Sequence, residues 1–261
     1  MLTDFVGILP AGGLGMRLKP FRYPKELLPV VYEALEVSGS LRPRAVSEYA
    51  LACFKDAGIR RCLVIIAPWK MAILDYFGDG SATGLDIGYL YQEEARGLPR
   101  ALDLAYPWTH SAHVAFAMPD TIIRPGDCFV TLRERYETTG ADLLLGVFPT
   151  GEPQRLGPVV IEDGKVKAVY DKCPEPPVRN TWGVALWGPA FSALMHEEVK
   201  RRVTSECEPV LGELFNLAVA AGLNVRAHFF PSGAYFDIGT PQGLRGCLDG
   251  LGIPRLEQLG P

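Results

Sequence analysis

Residues 7–20 read Gly7-Ile-Leu-Pro-Ala-Gly-Gly-Leu-Gly-Met-Arg-Leu-Lys-Pro20. They continue an apolar run that starts at Phe5 and is typical of a buried first strand. The glycines leave the stretch after it without side-chain bulk, so successive backbone N–H groups can turn inward and hold phosphate oxygens. Four cationic side chains come before the first acidic one: Arg17, Lys19, Arg22 and Lys25. This combination predicts a loop that binds and neutralises a polyphosphate.

Other glycine-rich loops fit this stretch less well. A Rossmann dinucleotide site has Gly-x-Gly-x-x-Gly at the start of a helix, but here Leu18 stands in the place of the third glycine. Pro20 and Pro24 also prevent a helix from forming there. A Walker A loop needs Gly-Lys-Ser/Thr, which is absent. The remaining alternative is a solvated basic loop with turn glycines, which a lone Gly-x-Gly would favour.

Outward from this loop, strand-like and helix-like segments alternate through the first half of the chain. The predicted strands are 5–9, 61–67, 86–91, 113–117 and 141–148, and the predicted helices are 46–57, 71–77, 98–106 and 127–136. This alternation predicts a parallel sheet covered by helices, which binds ligands at the carboxyl ends of its strands.

The second half of the chain has a different character. Asp163-Gly164 is a hairpin turn signal between predicted strands at 157–162 and 165–170. Further strands are predicted at 181–187 and 224–230, and helices at 189–197, 209–221 and from Pro241, with Thr240 as its cap. No composition break marks a linker. We therefore expect one domain over residues 1–250, with halves at about 1–140 and 141–250 and a tail at 251–261.

Bulk properties restrict the function. Of the 261 residues, 48% are hydrophobic and 21% are charged, which is typical of a soluble globular protein. The net charge of -4 argues against binding nucleic acid through bulk charge. No apolar stretch is long enough to span a bilayer, and no targeting signal is visible, so we expect a cytoplasmic protein without a membrane partner. The six cysteines form no Cys-x-x-Cys pair, and His110-x-x-His113 has no third ligand nearby.

The stretch from Ala11 to Val30 resembles the signature loop of the sugar-1-phosphate nucleotidyltransferases, also called nucleotide-sugar pyrophosphorylases. The family pattern is Gly-Gly-x-Gly-Thr-Arg-Leu-x-Pro, followed by a lysine and a Leu-Pro-Val/Ile run. This sequence has Gly12-Gly-Leu-Gly-Met-Arg-Leu-Lys-Pro20 and then Pro24-Lys-Glu-Leu-Leu-Pro-Val30. The resemblance is greatest to glucose-1-phosphate thymidylyltransferases and covers about residues 5–245. It implies an α/β fold, a Rossmann-like, doubly wound mixed sheet of the GT-A-like nucleotidyltransferase type with an inserted acceptor-binding lobe.

The resemblance also implies the residues of the nucleotide site. Arg17 and Lys25 would be the catalytic cations that grip the triphosphate. Asp120 and Asp237, each at a strand end, would hold Mg²⁺ as the cofactor. Nucleotide-binding roles fall on Leu9, Ala11, Gly12, Gly13, Gly15, Met16, Gln92 and Gly97. Among these, the Gln92 amide and the Gly97 backbone would read the base.

By the same resemblance, the acceptor-binding residues are Gly157, Asp171, Lys172, Trp182 and Gly183. Lys172 would bind the sugar phosphate, and Asp171 would accept hydrogen bonds from sugar hydroxyls. For Trp182, packing in the core is the alternative role. The chain departs from the family pattern at Met16 (usually Thr), Pro119 (usually Gly) and Asp171 (usually Glu), and residues 31–44 look like a replaced or lengthened loop.

The expected reaction is an in-line displacement. An oxygen of a sugar-1-phosphate attacks the α-phosphorus of a nucleoside triphosphate, dTTP or UTP being favoured, and pyrophosphate leaves. The resemblance also implies assembly into a homo-oligomer. Two alternatives stay open, namely transfer to a non-sugar phosphate (a cyclitol phosphate or a phosphocholine-like compound) and a non-catalytic, ligand-sensing homologue. A GT-A glycosyltransferase would need Asp-x-Asp where this chain has Asp120-Thr121-Ile122.

Overall fold

The computed structural model describes residues 3–34, 41–202 and 210–251. In chain order, the strands are β1 (Phe5–Pro10), β2 (Pro29–Ala34), β3 (Leu41–Ala45), β4 (Arg61–Ile66), β5 (Asp86–Tyr91), β6 (His113–Ala117), β7 (Thr121–Arg124), β8 (Leu143–Pro149), β9 (Val159–Glu162), β10 (Lys165–Val169), β11 (Asn180–Trp187), β12 (Val225–Phe229) and β13 (Ala234–Asp237). The helices are α1 (Ser47–Asp56), α2 (Met71–Phe77), α3 (Leu98–Asp103), α4 (Tyr106–Thr109), α5 (Cys128–Thr139), α6 (Pro189–Arg201), α7 (Leu211–Ala220) and α8 (Pro241–Gly250).

Nine of these strands form one sheet in the order β5-β4-β1-β6-β11-β8-β12-β10-β9. The first four run parallel. Strand β11 is antiparallel to both of its neighbours, and β10 is antiparallel to β12 and β9. The sheet is thus parallel where strands and helices alternate in the sequence, and mixed beyond that point. The predicted α/β fold with a doubly wound mixed sheet is confirmed.

The central position of β1 follows from its composition. All six of its residues are buried, as expected for a parallel strand with both faces covered by helices. Two large apolar clusters line the two faces, one around Phe54 and Phe129 and the other around Trp187 and Phe215. Strands β4 and β6 flank β1, so the carboxyl ends of all three meet at one edge. Residues that follow these ends form the candidate site together with residues after β5 and at the end of β13.

Two small antiparallel pairs lie outside the large sheet. Strand β7 pairs with β13, which places Asp237 opposite Thr121. Strand β2 pairs with β3, so the described parts of residues 31–44, predicted as a loop, form a hairpin. Its sequence is a poor strand signal because it contains Pro43 and several charged side chains. Residues 35–40 lie outside the described part of the chain.

Some predicted helix boundaries change. The helix predicted over 98–106 is two short helices, α3 and α4, and Pro107 lies in the first turn of the second, where its missing N–H is tolerated. The predicted cap of the last helix is confirmed, since Thr240 Oγ1 accepts a hydrogen bond from the Gly243 N–H at 3.0 Å. Cys207, the predicted helix start at Pro209 and all of the predicted tail (251–261) except residue 251 fall outside the described residues.

Among the described helices, none has both the length and the apolar character needed to cross a membrane.

Candidate active site

The loop after β1 begins buried and becomes exposed. Leu9 and Ala11 are each 1% exposed, and the Ala11 N–H donates to the Ile65 carbonyl at 2.7 Å, which ties the loop to the end of β4. From Gly13 onward the chain faces solvent, with Met16 in a short 3₁₀ turn and 55% exposed. The first residues of the loop are therefore held by the sheet, whereas the later ones depend on contacts with other segments.

A cavity of about 190 Å³ opens at the edge where β1, β4 and β6 end. Six residues predicted from the sequence line it: Gly12, Gly13, Lys25, Gln92, Gly97 and Asp120. Gln92 is 7% exposed, and its side-chain oxygen lies 2.4 Å from where a Cβ on Gly12 would stand. Gly97 has φ 83°, a conformation that side chains strongly disfavour, and it begins the turn into α3. The predicted base-reading pair thus faces the start of the phosphate loop.

The buried carboxylate in this cavity has a cationic partner. Asp120 directly precedes β7 and is only 2% exposed, and its Oδ2 binds the Lys25 Nζ. Burial alone would lower the pKa of Lys25, but the carboxylates of Asp120, Glu26 and Asp237 together outweigh it, with Asp120 first, and raise that pKa above its ordinary value. Lys25 is therefore held charged, at the place where a phosphate would need a counterion.

A second carboxylate is positioned next to the first. The Asp237 Oδ1 accepts a hydrogen bond from the Gly239 N–H at 2.7 Å, and its Oδ2 lies 3.8 Å from Nη1 of Arg17. The Ile238 N–H donates to the Asp120 carbonyl at 3.1 Å, which joins the two segments. Burial, followed by the nearby Asp120 carboxylate, raises the pKa of Asp237. Two like charges therefore repel each other here in the absence of a further cation.

The arrangement fits a divalent cation. A Cβ built on Gly239 would lie 2.8 Å from Asp237 Oδ1 and 3.1 Å from Asp120 Oδ2, so both carboxylates converge on one region. Within the described ranges, no group of three or more His, Cys, Asp or Glu side chains could hold a metal. Two carboxylates plus phosphate oxygens and water are the ligand set that Mg²⁺ commonly takes, so the predicted pair is compatible with that ion.

A second buried ion pair, which was not predicted from the sequence, also borders the cavity. The Glu26 Oε2 accepts from the Lys70 Nζ at 2.6 Å, and both side chains are at most 4% exposed. Glu26 lines the cavity beside Lys25, and Lys70 follows the end of β4. Its position after a buried strand was the only sequence signal for Lys70, and nothing in the sequence paired it with Glu26.

The predicted acceptor residues lie on the other half of the sheet. Gly157 packs against Trp182, since a Cβ there would come within 2.2 Å of the indole Nε1. Trp182 also contacts Phe116 and Phe215, so much of its ring belongs to the core. Gly183 is buried at a β-bulge under the ring of Tyr235. These contacts support packing roles for Trp182 and Gly183 alongside the predicted ones.

Asp171 and Lys172 form the exposed part of this region. Their side chains are 37% and 73% exposed, and Lys172 Nζ lies 3.8 Å from Asp171 Oδ2. Lys172 has φ 46°, which is uncommon for a residue with a side chain and is frequently associated with functional sites. A cavity of about 240 Å³ lies nearby and is lined by Arg17, Asp237 and Leu156. The phosphate loop and the segment before Gly157 therefore border one common space.

The comparisons with known proteins point to one family. Residues 6–248 match the family model described as nucleotidyl transferase. The low-salt glycan biosynthesis nucleotidyltransferase of Haloferax volcanii is 28% identical, over 91% of this chain and 63% of its own. The glucose-1-phosphate thymidylyltransferase of Neisseria gonorrhoeae is 29% identical, over 68% of this chain and 58% of its own. This chain thus covers less than two thirds of the length of either curated relative.

A solved structure from Bacillus anthracis, assigned as a glucose-1-phosphate thymidylyltransferase, superposes with a TM-score of 0.82. It is 21% identical and covers 97% of this chain and 96% of its own, so it shows the shared fold. Fold and site together define an α/β protein of the nucleotidyltransferase class. The chain belongs to the nucleotidyl transferase family, and the family predicted from its signature loop is confirmed.

Proposed function

We propose that the protein transfers a nucleotidyl group from a nucleoside triphosphate to a sugar-1-phosphate and releases pyrophosphate. The observation that carries this proposal is the Lys25–Asp120 pair inside a cavity that Gln92 and Gly97 also line. A nucleoside triphosphate needs hydrogen-bonding groups for its base and charged groups for its phosphates. The Gln92 amide and the Gly97 backbone can bind the base, and Lys25 and the carboxylate pair lie next to them. The family membership and the names of the relatives support the same class of reaction.

The chemistry requires positioning more than a reactive side chain. The attacking phosphate oxygen is already anionic, so no catalytic base is needed, and the obstacle is repulsion between two polyanions. Lys25 and Arg17 neutralise the triphosphate and the leaving pyrophosphate. Lys172 holds the phosphate of the acceptor, and Asp171 accepts hydrogen bonds from its hydroxyl groups.

A divalent cation, of which Mg²⁺ is the proposed one, would be held by Asp120 and Asp237 and would supply charge stabilisation at the α-phosphate. Lys25 and Arg17 would change partners when the triphosphate binds. Lys25 binds Asp120, and Arg17 lies 3.8 Å from Asp237, so a triphosphate would offer both cations new partners. For the base, we propose thymine or uracil, because the sequence is similar to glucose-1-phosphate thymidylyltransferases and the Gln92 amide can pair with the N3–H and a carbonyl oxygen of these bases.

The test is a grid of pyrophosphate release with Mg²⁺. The common nucleoside triphosphates are each combined with glucose-1-phosphate, other sugar-1-phosphates, a cyclitol phosphate and phosphocholine. The expected result is release that requires both substrates and is strongest with dTTP or UTP and a sugar-1-phosphate. Release only with a non-sugar phosphate would replace the proposed acceptor. Nucleotide binding without release for any acceptor would favour a ligand-sensing protein.

A further inference from the structure

The turn at residues 25–27 is fixed at two points. The Lys25 Nζ binds Asp120 just beyond β6, and the Glu26 carboxylate binds Lys70 just beyond β4. Strands β4 and β6 lie on opposite sides of β1, the strand that leads into the phosphate loop. Two consecutive side chains therefore attach this turn to both neighbours of the central strand.

The second attachment is the more deeply buried one. The Glu26 and Lys70 side chains are 2% and 4% exposed, compared with 14% for Lys25. Burial raises the pKa of Glu26 even though Lys70 opposes the shift. A charge in such surroundings is tolerated only with its partner, so the pair restricts the geometry of the turn.

The two attachments differ in what happens to them during the proposed reaction. A phosphate oxygen that binds the Lys25 ammonium competes with Asp120 for it, so that attachment weakens when the nucleotide is bound. The Glu26–Lys70 pair is not needed for any other contact, and it remains, together with the hydrogen bond from the Ser47 hydroxyl to the Glu26 carbonyl at 2.7 Å. Lys70 is then the side chain that keeps the turn, and with it Lys25, in place.

We propose that Lys70 is a positioning residue, which holds the Lys25 ammonium in its catalytic location through the buried pair with Glu26. This inference rests on the function proposed above. It assigns to Lys70 a role in the turnover step, distinct from a general contribution to folding.

The first test replaces both charges together. In Glu26→Gln/Lys70→Met, two neutral side chains of similar size fill the same space, so we expect the Tm to stay within about 5 °C of the parent. We expect kcat to fall at least about tenfold, with the acceptor KM changed less than about twofold. A kcat within twofold of the parent, with the Tm retained, would overturn the proposal.

A matched control comes from another charged pair. Glu48 binds Arg42 between α1 and β3, away from the nucleotide cavity. Arg42→Met/Glu48→Gln should leave kcat unchanged whatever it does to the Tm. An equal fall in kcat for both double variants would show a general structural effect and would contradict a positioning role.

A coupling experiment tests the route through Lys25. Lys25→Ala is made in the parent and in the Glu26→Gln/Lys70→Met background. If the pair acts by positioning Lys25, the lysine substitution should reduce kcat much less in that background than in the parent. Equal reductions in the two backgrounds would mean that Lys70 does not act through Lys25.

A third readout needs neither turnover nor a ligand. The NMR resonance of the Lys25 ammonium, identified by its loss in Lys25→Arg, should shift or broaden in Glu26→Gln/Lys70→Met and stay unchanged in the Arg42/Glu48 control. An unchanged resonance in both would overturn the inference. If the parent released no pyrophosphate with any substrate pair, the proposed function would fail, while this measurement would still decide whether Lys70 positions Lys25.

A milder variant is available should the double variant not fold. Glu26→Asp keeps the charge and withdraws the carboxylate by one methylene, so we expect kcat to fall about threefold or more and the Lys25 resonance to shift. A parental kcat and a parental resonance in this variant would contradict the proposal.

Discussion

The two halves of the candidate site are built differently. On the nucleotide side, the charges are buried and paired in advance, since Asp120 is 2% exposed and bound to Lys25, while Glu26 binds Lys70. On the proposed acceptor side, Lys172 is 73% exposed, and its Nζ lies 3.8 Å from the Asp171 Oδ2. The charges on the proposed nucleotide side are therefore buried and closely paired, whereas those on the proposed acceptor side are exposed and only loosely paired.

This difference has a physical consequence for binding. Preformed, desolvated charges act strongly on a ligand because they need little reorganisation. Exposed charges are screened by water and salt, and each contributes less. The nucleotide side should accordingly be sensitive to single substitutions, and the acceptor side should tolerate change. The four predictions below test this contrast, from the largest expected effect to the smallest.

The largest effect is expected from Asp120→Ala. It removes a carboxylate proposed to hold the cation and leaves Lys25 without its partner, so kcat should fall about a hundredfold or more. Nucleotide binding, followed by calorimetry, should change less. Asp171→Ala is the comparison on the exposed side and should reduce kcat far less. Near-normal turnover of Asp120→Ala would remove the proposed metal role.

The next largest effect is expected where Gly12, in the loop after β1, lies close to the Gln92 side chain. Gly12→Ala places a Cβ 2.4 Å from the Gln92 side-chain oxygen and displaces it, so the KM for the nucleotide should rise about tenfold. Gly126→Ala is the control, because a Cβ there meets nothing within 4 Å and Gly126 has no proposed role in binding the nucleotide. Equal KM values for the two variants would show that Gln92 is not positioned by this contact.

On the acceptor side, Lys172→Ala and Lys172→Gly should separate binding from backbone strain. Both variants lack the ammonium, so both should raise the acceptor KM, by about tenfold, with nucleotide affinity retained. Because Lys172 has φ 46°, glycine should also raise the free energy of unfolding by about 1 kcal/mol relative to alanine. Steady-state kinetics measure the acceptor KM, and denaturant unfolding measures the difference in stability between the two variants. An acceptor KM that stays at the parental value would exclude Lys172 from the acceptor site.

The smallest effect is expected where an ion pair is fully exposed. The Lys167 Nζ lies 3.2 Å from the Glu162 Oε2 on the hairpin of β9 and β10, and both side chains are at least half exposed. Lys167→Ala should change the free energy of unfolding by less than about 0.5 kcal/mol. Lys70→Met, which leaves Glu26 buried and unpaired, should cost about 3 kcal/mol or more. Similar losses in the two variants would mean that burial does not distinguish these pairs.

The common location of several candidate residues could be predicted from the sequence, for a clear reason. Gly12 and Asp120 follow buried strands whose apolar runs are easy to recognise, and Gln92 follows the alternating edge strand β5. Their place at one edge follows from the order of strands and helices. The doubly wound sheet and the Thr240 cap were predicted from the same kind of local signal.

The features that were missed depend on contacts between distant segments. The Glu26–Lys70 pair joins residues that are far apart in sequence, and neither side chain shows by itself that it is buried. The hairpin of β2 and β3 lacks strand-like composition, and the division between α3 and α4 follows from the position of one proline. Each of these features depends on tertiary packing, which cannot be predicted from local sequence patterns.

The reversed direction of β11 has a consequence for how such proteins diversify. Its first residue, Asn180, pairs with Pro149 at the end of β8, so the segment that enters β11 arrives at the same edge as the segments that leave β6 and β8. Insertions just before β11 can therefore reach the ligand without disturbing the pairing of any strand. New acceptor preferences could evolve in that entering segment while the nucleotide chemistry on the parallel strands stays unchanged.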